Sequence, residues 1–128
     1  MQTQKIDEFY LDEEDEDRGP VVAHLTLHST NTVHNLYRGS NQIGRGTQND
    51  VVVEDATVSD VHAEIEIREN NEAHVKDLRS SNGTIVETEA SSNDYTHVLK
   101  GQTLLLKEGC YVRFGKCVKE WVSRCAIE

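Results

Sequence analysis

Apolar residues in this chain recur at every second position or in runs of three or four, without the helical rhythm of a long amphipathic helix. The segments VVAHLTL (21–27), DVVVE (50–54), HAEIEIRE (62–69), EAHVKDL (72–78), TIVE (84–87), THVL (96–99), QTLLL (102–106) and CYVRFG (110–115) are rich in Val, Ile and Thr. Such branched side chains suit a pleated, half-buried surface. Turn formers stand between them: Gly39-Ser40-Asn41, Glu69-Asn70-Asn71-Glu72, Ser80-Ser81-Asn82-Gly83, Ser91-Ser92-Asn93-Asp94, Glu108-Gly109 and Gly115-Lys116. Short strands repeated about every 8 to 12 residues predict an all-β sandwich or barrel.

A chain of 128 residues buries about two thirds of its unfolded surface, so its core needs no disulfide or metal staple. The cysteines agree. Cys110, Cys117 and Cys125 make an odd set with no C-x-x-C spacing and no histidine at zinc-finger distance, which points to a reducing compartment and thiols buried on strands. His24 and His28 would share a face only on a helix, and they lie in or beside a strand, so no metal or other cofactor is expected. Apolar runs of three or four residues fall far below the roughly 20 that a bilayer-spanning helix needs, and the polar, acidic N-terminus lacks a signal-peptide pattern.

Net charge is −10, unevenly spread: residues 1–18 hold eight acids against two bases, a net of −6. The expected division is an acidic, flexible arm over residues 1–19 and a folded domain over residues 20–128. Ile6 and Phe9-Tyr10-Leu11 interrupt the acidity of the arm and give it something to dock with. An acidic surface repels a polyphosphate backbone, so neither direct nucleic-acid binding nor membrane binding is expected, and any anion must be caught locally.

Groups suited to catching an anion cluster in IGRGTQNDVVVEDATVSDVHAEIEI (43–67) and HVKDLRSSNGTIVE (74–87). Arg45 offers a planar fork matched to phosphate oxygens, Ser59 and Ser81 offer hydroxyls, and Asn82 an amide able to clamp a peptide backbone. All lie near strand ends, where sandwich loops gather. Taken singly, each has a plainer reading: Ser59 starts a loop, Asn82-Gly83 is a hairpin turn, and Arg45 is a solvated charge. A serine hydrolase is disfavoured because no G-x-S-x-G elbow surrounds Ser59, so the expected class is a binding module and not an enzyme.

In order and spacing, Gly44-Arg45, Ser59-x-x-His62 and Asn82-Gly83-Thr84 resemble the forkhead-associated (FHA) domain, over roughly residues 20–125. The resemblance implies a β-sandwich of two twisted, mainly antiparallel sheets that binds phosphothreonine peptides. It implies that Arg45 and Ser59 grip the phosphate, that Ser81 adds a contact, that Asn82 holds the peptide backbone, and that Gly44, His62 and Gly83 support the site. One position departs from the family pattern. Asp60 stands where Arg, Lys or Asn is usual, and it is expected either to turn away from the phosphate or to read a basic residue of the peptide.

The arm adds a second resemblance. Thr3-Gln4 matches the site of DNA-damage checkpoint kinases, and FHA domains commonly select the residue three after the phosphothreonine, here Ile6. An N-terminal T-Q-x-I-D, an acidic spacer and the string HAEIEI resemble the N-terminus of checkpoint mediator proteins. That resemblance implies a nuclear damage-response adaptor that self-associates when phosphorylated Thr3 of one copy binds Arg45, Ser59, Ser81 and Asn82 of another, with Lys5 a candidate partner for Asp60. The alternative is a β-sandwich interaction or dimerisation domain that works without phosphate.

Overall fold

The computed structural model describes residues 18–28, 30–87, 95–107, 109–116 and 120–124. Its eleven strands are β1 (Val21–Leu27), β2 (Thr32–Tyr37), β3 (Gly39–Gly44), β4 (Val51–Val52), β5 (Ala63–Ile67), β6 (Ala73–Asp77), β7 (Thr84–Glu87), β8 (Tyr95–Val98), β9 (Thr103–Leu106), β10 (Tyr111–Phe114) and β11 (Glu120–Arg124). They form a six-stranded sheet ordered β2-β1-β11-β10-β7-β8 and a five-stranded sheet ordered β4-β3-β5-β6-β9. All named pairings are antiparallel except β3 with β4. This is an all-β sandwich, one of the two architectures that the period-two pattern allows and the one that the resemblance implies.

Alternation decides which face is buried. On β5, Ala63, Ile65 and Ile67 point inward while Glu64 and Glu66 point outward; on β6, Ala73 and Val75 point inward while His74 and Lys76 point outward. Leu25 of β1, Leu36 of β2, Ile43 of β3 and Val112 and Phe114 of β10 complete the centre of the core, all without solvent exposure. Cys110 is likewise buried, just before β10.

The turn expected at Gly39-Ser40-Asn41 is instead the first half of β3. The chain leaves one sheet and joins the other across Arg38 alone, with Gly39 at φ 95° taking the left-handed step. Asn41 makes so sharp a corner possible. Its buried carboxamide accepts the Tyr37 N–H (2.9 Å) and donates to the carbonyls of Tyr37 (2.7 Å) and Ile65 (3.1 Å), replacing the ladder bonds that the corner costs. β2 and β11 are further strands that the sequence pattern did not mark. The arm (residues 1–17), the Ser91–Asp94 turn, Cys117 and Cys125 lie outside the described residues.

Ile65 is central to the five-stranded sheet and wholly buried. Ile65→Ala is expected to cost about 2–5 kcal/mol, read as a lower urea midpoint with an unchanged slope.

Candidate functional site

β3 ends, β5 begins, β6 ends, β7 begins and β10 ends at one edge of the sandwich, so the loops 45–50, 53–62 and 78–83 and the turn at 115–116 meet there. Backbone bonds tie them together: Arg45 N–H to the Ser59 carbonyl (2.9 Å), Gly46 N–H to Asp60 (3.1 Å), Leu78 N–H to His62 (2.9 Å) and Gly115 N–H to Gly83 (2.9 Å). Gly44 allows the closest of these approaches. A Cβ there would lie 2.2 Å from the Asp60 carbonyl oxygen and 2.9 Å from Nδ2 of Asn49.

Residues 57–60 are the hub on which the four predicted groups converge. Arg45 donates from Nε to the Val58 carbonyl (3.0 Å), which fixes its guanidinium while leaving the outer nitrogens at the rim. Ser59 Oγ accepts the Ser81 N–H (3.0 Å), and Asn82 Nδ2 donates to the Thr57 carbonyl (2.8 Å). Arg45, Ser81 and Asn82 are exposed, and Ser59 is half-buried. Asp60 does not turn away. Its carboxylate lies 3.5 Å from Nη2 of Arg45, because a guanidinium attracts the nearest anion; with the side chains 50% and 74% exposed, solvent screens the pair heavily.

His62 supports this rim from beneath. It is fully buried, its Nδ1 accepts the Ser59 N–H (3.0 Å), its Nε2 reaches the Gly83 carbonyl (2.8 Å), and its ring meets Phe114 edge-on at 5.9 Å. Those partners require the neutral Nε2–H form. Burial lowers the pKa of the ring below the ordinary 6.5, with the Gly83 carbonyl and the Asp77 charge opposing the shift. Asp77 faces inward on β6, where the alternation would place an apolar residue. Its carboxylate accepts the Ser80 hydroxyl (2.5 Å), the Ser80 N–H (3.1 Å) and the Thr84 hydroxyl (2.8 Å). Burial raises its pKa, but these donors and His62 outweigh that effect and leave it below the usual 3.8. The turn from β6 to β7 is thereby wrapped around one buried charge. Gly83, at φ 89°, completes it in a conformation that side chains disfavour.

The FHA domain family model matches residues 41–115, more than half of the chain, and takes in the loops 45–50, 53–62 and 78–83. The chain belongs to the FHA family. Among solved structures, Mycobacterium tuberculosis EmbR in complex with a low-affinity phosphopeptide is 28% identical with a TM-score of 0.67, over 84% of this chain and 26% of that one. The chain thus spans about a quarter of EmbR. The FhaA FHA domain, complexed with the intracellular domain of Rv3910, is 31% identical with a TM-score of 0.63, over 78% of this chain and 98% of that one. The N-terminal FHA domain of S. cerevisiae Rad53p, in complex with a phosphothreonine peptide, shares 17% identity with a TM-score of 0.68, over 82% and 94% of the two chains, a likeness of fold. These bacterial and yeast structures do not single out the checkpoint mediators. No curated protein sequence matches the chain.

Two further residues, Asn49 and Thr57, help to build this FHA rim. Asn49 donates from Nδ2 to the carbonyls of Gly46 (2.6 Å) and Asp60 (2.7 Å). Thr57 donates its N–H and hydroxyl to Asp55 and accepts the Lys116 N–H (2.9 Å). The available signal for Asn49 was its place beside the apolar run 51–53; for Thr57 it was the D-x-T spacing that lets an aspartate cap a turn. Among the described residues no group of three His, Cys, Asp or Glu side chains could hold a metal ion.

The His62 geometry fixes the sign of a pH effect. The unfolded chain takes up the proton first, so the stability contributed by the neutral ring is complete above pH 6.5 and is lost as pH falls from there through the lowered folded value. His34, also lowered by burial, acts in the same sense. The expected outcome is a falling urea midpoint between pH 7 and pH 5, with a shallower fall in His62→Asn, whose midpoint at pH 7 is lower from the start.

Proposed function

We propose that this FHA domain is a phosphothreonine-peptide-binding adaptor module in which Arg45 and Ser59 hold the phosphate, Ser81 adds a donor and Asn82 clamps the peptide backbone. The observation that carries the reading is the convergence of these four groups on residues 57–60 at one rim. The phosphopeptide complexes of EmbR and of the Rad53p FHA domain support it. A phosphate with a charge of about −1.5 to −2 and three acceptor oxygens suits a guanidinium, hydroxyls and an amide held open to solvent. The role is binding and not catalysis.

One ligand is a second copy of this chain. Thr3, phosphorylated by a kinase that reads Thr-Gln, docks at the rim of its partner and the exchange is reciprocal, giving a closed homodimer in a nuclear damage-response assembly. Arg18 lies fifteen positions after Thr3, a reach of up to about 50 Å. Arg18 is anchored on Asp50 (2.7 Å) and the Ser40 carbonyl (2.7 Å) and lies over the Tyr37 ring. Arg18 thus touches β3, the strand that leads into Arg45.

The second reading, binding that does not need phosphate, is favoured by the Asp60 carboxylate beside Arg45. Titration of Thr3 peptides against the chain decides between them: the phosphorylated peptide binds and the plain one does not, whereas equal binding of both would select the second reading. Sedimentation with and without phosphate on Thr3 tests the homodimer, which forms only in the phosphorylated sample.

Arg45→Ala is expected to weaken phosphopeptide binding by about 1.5–3 kcal/mol, roughly 10- to 150-fold, while its unfolding midpoint stays near that of the parent. Asp60→Asn frees the guanidinium from a screened pair worth about 0.2–1 kcal/mol. A phosphopeptide with neutral flanks therefore binds it up to about fivefold more tightly, as measured by calorimetry. For the Thr3 peptide the gain is smaller, because Lys5 loses Asp60 as its partner.

A further inference from the structure

Beyond the Arg45 rim, the same edge of the five-stranded sheet holds an open hollow of about 400 Å³ lined by Lys76, Asp77, Leu78, Arg79 and Gly101. Its side chains are unlike the surface of a chain with net charge −10. Lys76 and Arg79 are exposed, and Lys100, also exposed, flanks the hollow through its bridge to Asp77. No ion pair involving these three cations occurs among the described residues, although Glu64 stands opposite Lys76 on β5. Asp77 makes no ion pair with them: its carboxylate is buried and engaged by the Ser80 and Thr84 donors, and it leaves one negative charge in the wall against the three exposed cations. Arg79 is held at φ 60°, a left-handed conformation that side-chain-bearing residues disfavour. The backbone thus sets the direction in which the Arg79 side chain leaves the chain, two residues before Ser81.

Topology fixes the spacing. Arg45 follows β3, and the hollow lies at the ends of β6 and β9, two and three strands along in the order β4-β3-β5-β6-β9. At about 4.8 Å per strand the separation is roughly 10–14 Å, which an extended peptide covers in three or four residues. Lys116 and Thr57, joined through the Lys116 N–H, lie at the six-stranded-sheet side of the rim, so the hollow extends the groove in the other direction.

We propose that this hollow is a second anion subsite, which takes an acidic or phosphorylated side chain three or four residues from the phosphothreonine on the same peptide. The proposal rests on the phosphothreonine reading of the Arg45 rim and assigns that rim a sequence preference. Lys76 and Arg79 supply the charge and donors, while Leu78, half-buried, and Gly101, exposed, leave room for the stem of the side chain.

The test uses the whole chain and a phosphothreonine peptide with uncharged flanks. Single glutamates, and in a second series phosphoserines, are placed at each of the five positions on either side. A glutamate at three or four residues on one side is expected to tighten binding about fivefold, a phosphoserine more, and both gains shrink as salt rises. Lys76→Gln with Arg79→Gly removes the two cations at exposed positions, and glycine is at ease at φ 60°, so the fold is retained. In that variant the gain disappears while the uncharged-flank peptide binds as before. Gains that survive in the variant, or a parent chain that binds the uncharged-flank peptide yet gains from no added anion, overturn the subsite. Failure of the parent to bind any phosphothreonine peptide overturns the rim reading and the subsite with it.

Discussion

A single buried imidazole holds the loop edge of this sandwich together. His62 accepts the backbone N–H of Ser59 on one side and bonds the Gly83 carbonyl on the other, while Phe114 packs against its ring. Without it, two loops that are distant in sequence would each bury an unpaired backbone group, at about 1–3 kcal/mol apiece. With it, Ser59 and the Asn82-Gly83 turn are held at fixed separation. Arg45 joins through its backbone bond to Ser59 and its Nε bond to Val58. The exposed groups at the rim are consequently ordered by bonds made below them, so little side-chain entropy remains to be lost when a ligand arrives.

Asp77 performs the equivalent task one strand away. A carboxylate buried on an inward-facing strand position is unfavourable by itself, and three hydrogen bonds from Ser80 and Thr84 offset the cost. The hydroxyl of Ser80 also accepts the Gly83 N–H. The β6–β7 turn therefore cannot open without exposing an unsatisfied charge, which is why it presents Ser81 and Asn82 at a constant position. The two buried polar residues act together, since the charge of Asp77 is among the influences on His62 and His62 on Asp77.

Strands whose apolar faces alternate were legible because periodicity and burial have one cause: β1 and β7 fall at the boundaries their residues predict, β6, β8, β9 and β10 within one residue of them, and β5 within two. The β2–β3 corner was not legible. Its sequence is polar, and what turns Gly39-Ser40-Asn41 into a strand is a long-range bond from Asn41 to the Ile65 carbonyl, which no local propensity encodes. The convergence of Arg45, Ser59, Ser81 and Asn82 was legible from their order and spacing. The pairing of Asp60 with Arg45 was not, because it depends on how the 59–62 loop folds over Gly44.

Electrostatics at the rim are local even though the chain is acidic overall. At physiological ionic strength the screening length is about 8 Å, shorter than the spacing between Arg45 and the hollow at Lys76 and Arg79. An anion at Arg45 therefore responds to Asp60, Ser59 and Ser81 more than to the net charge of −10. Asp60 then acts as a weak internal competitor, since its carboxylate offers the guanidinium one negative charge where a phosphate offers nearly two and a third oxygen. A free carboxylate ligand would exchange like for like and gain almost nothing. Under the proposed phosphothreonine reading, a phosphate would have a surplus of charge and acceptors with which to displace it, so Asp60 would then cost some affinity while favouring phosphorylated over merely acidic ligands.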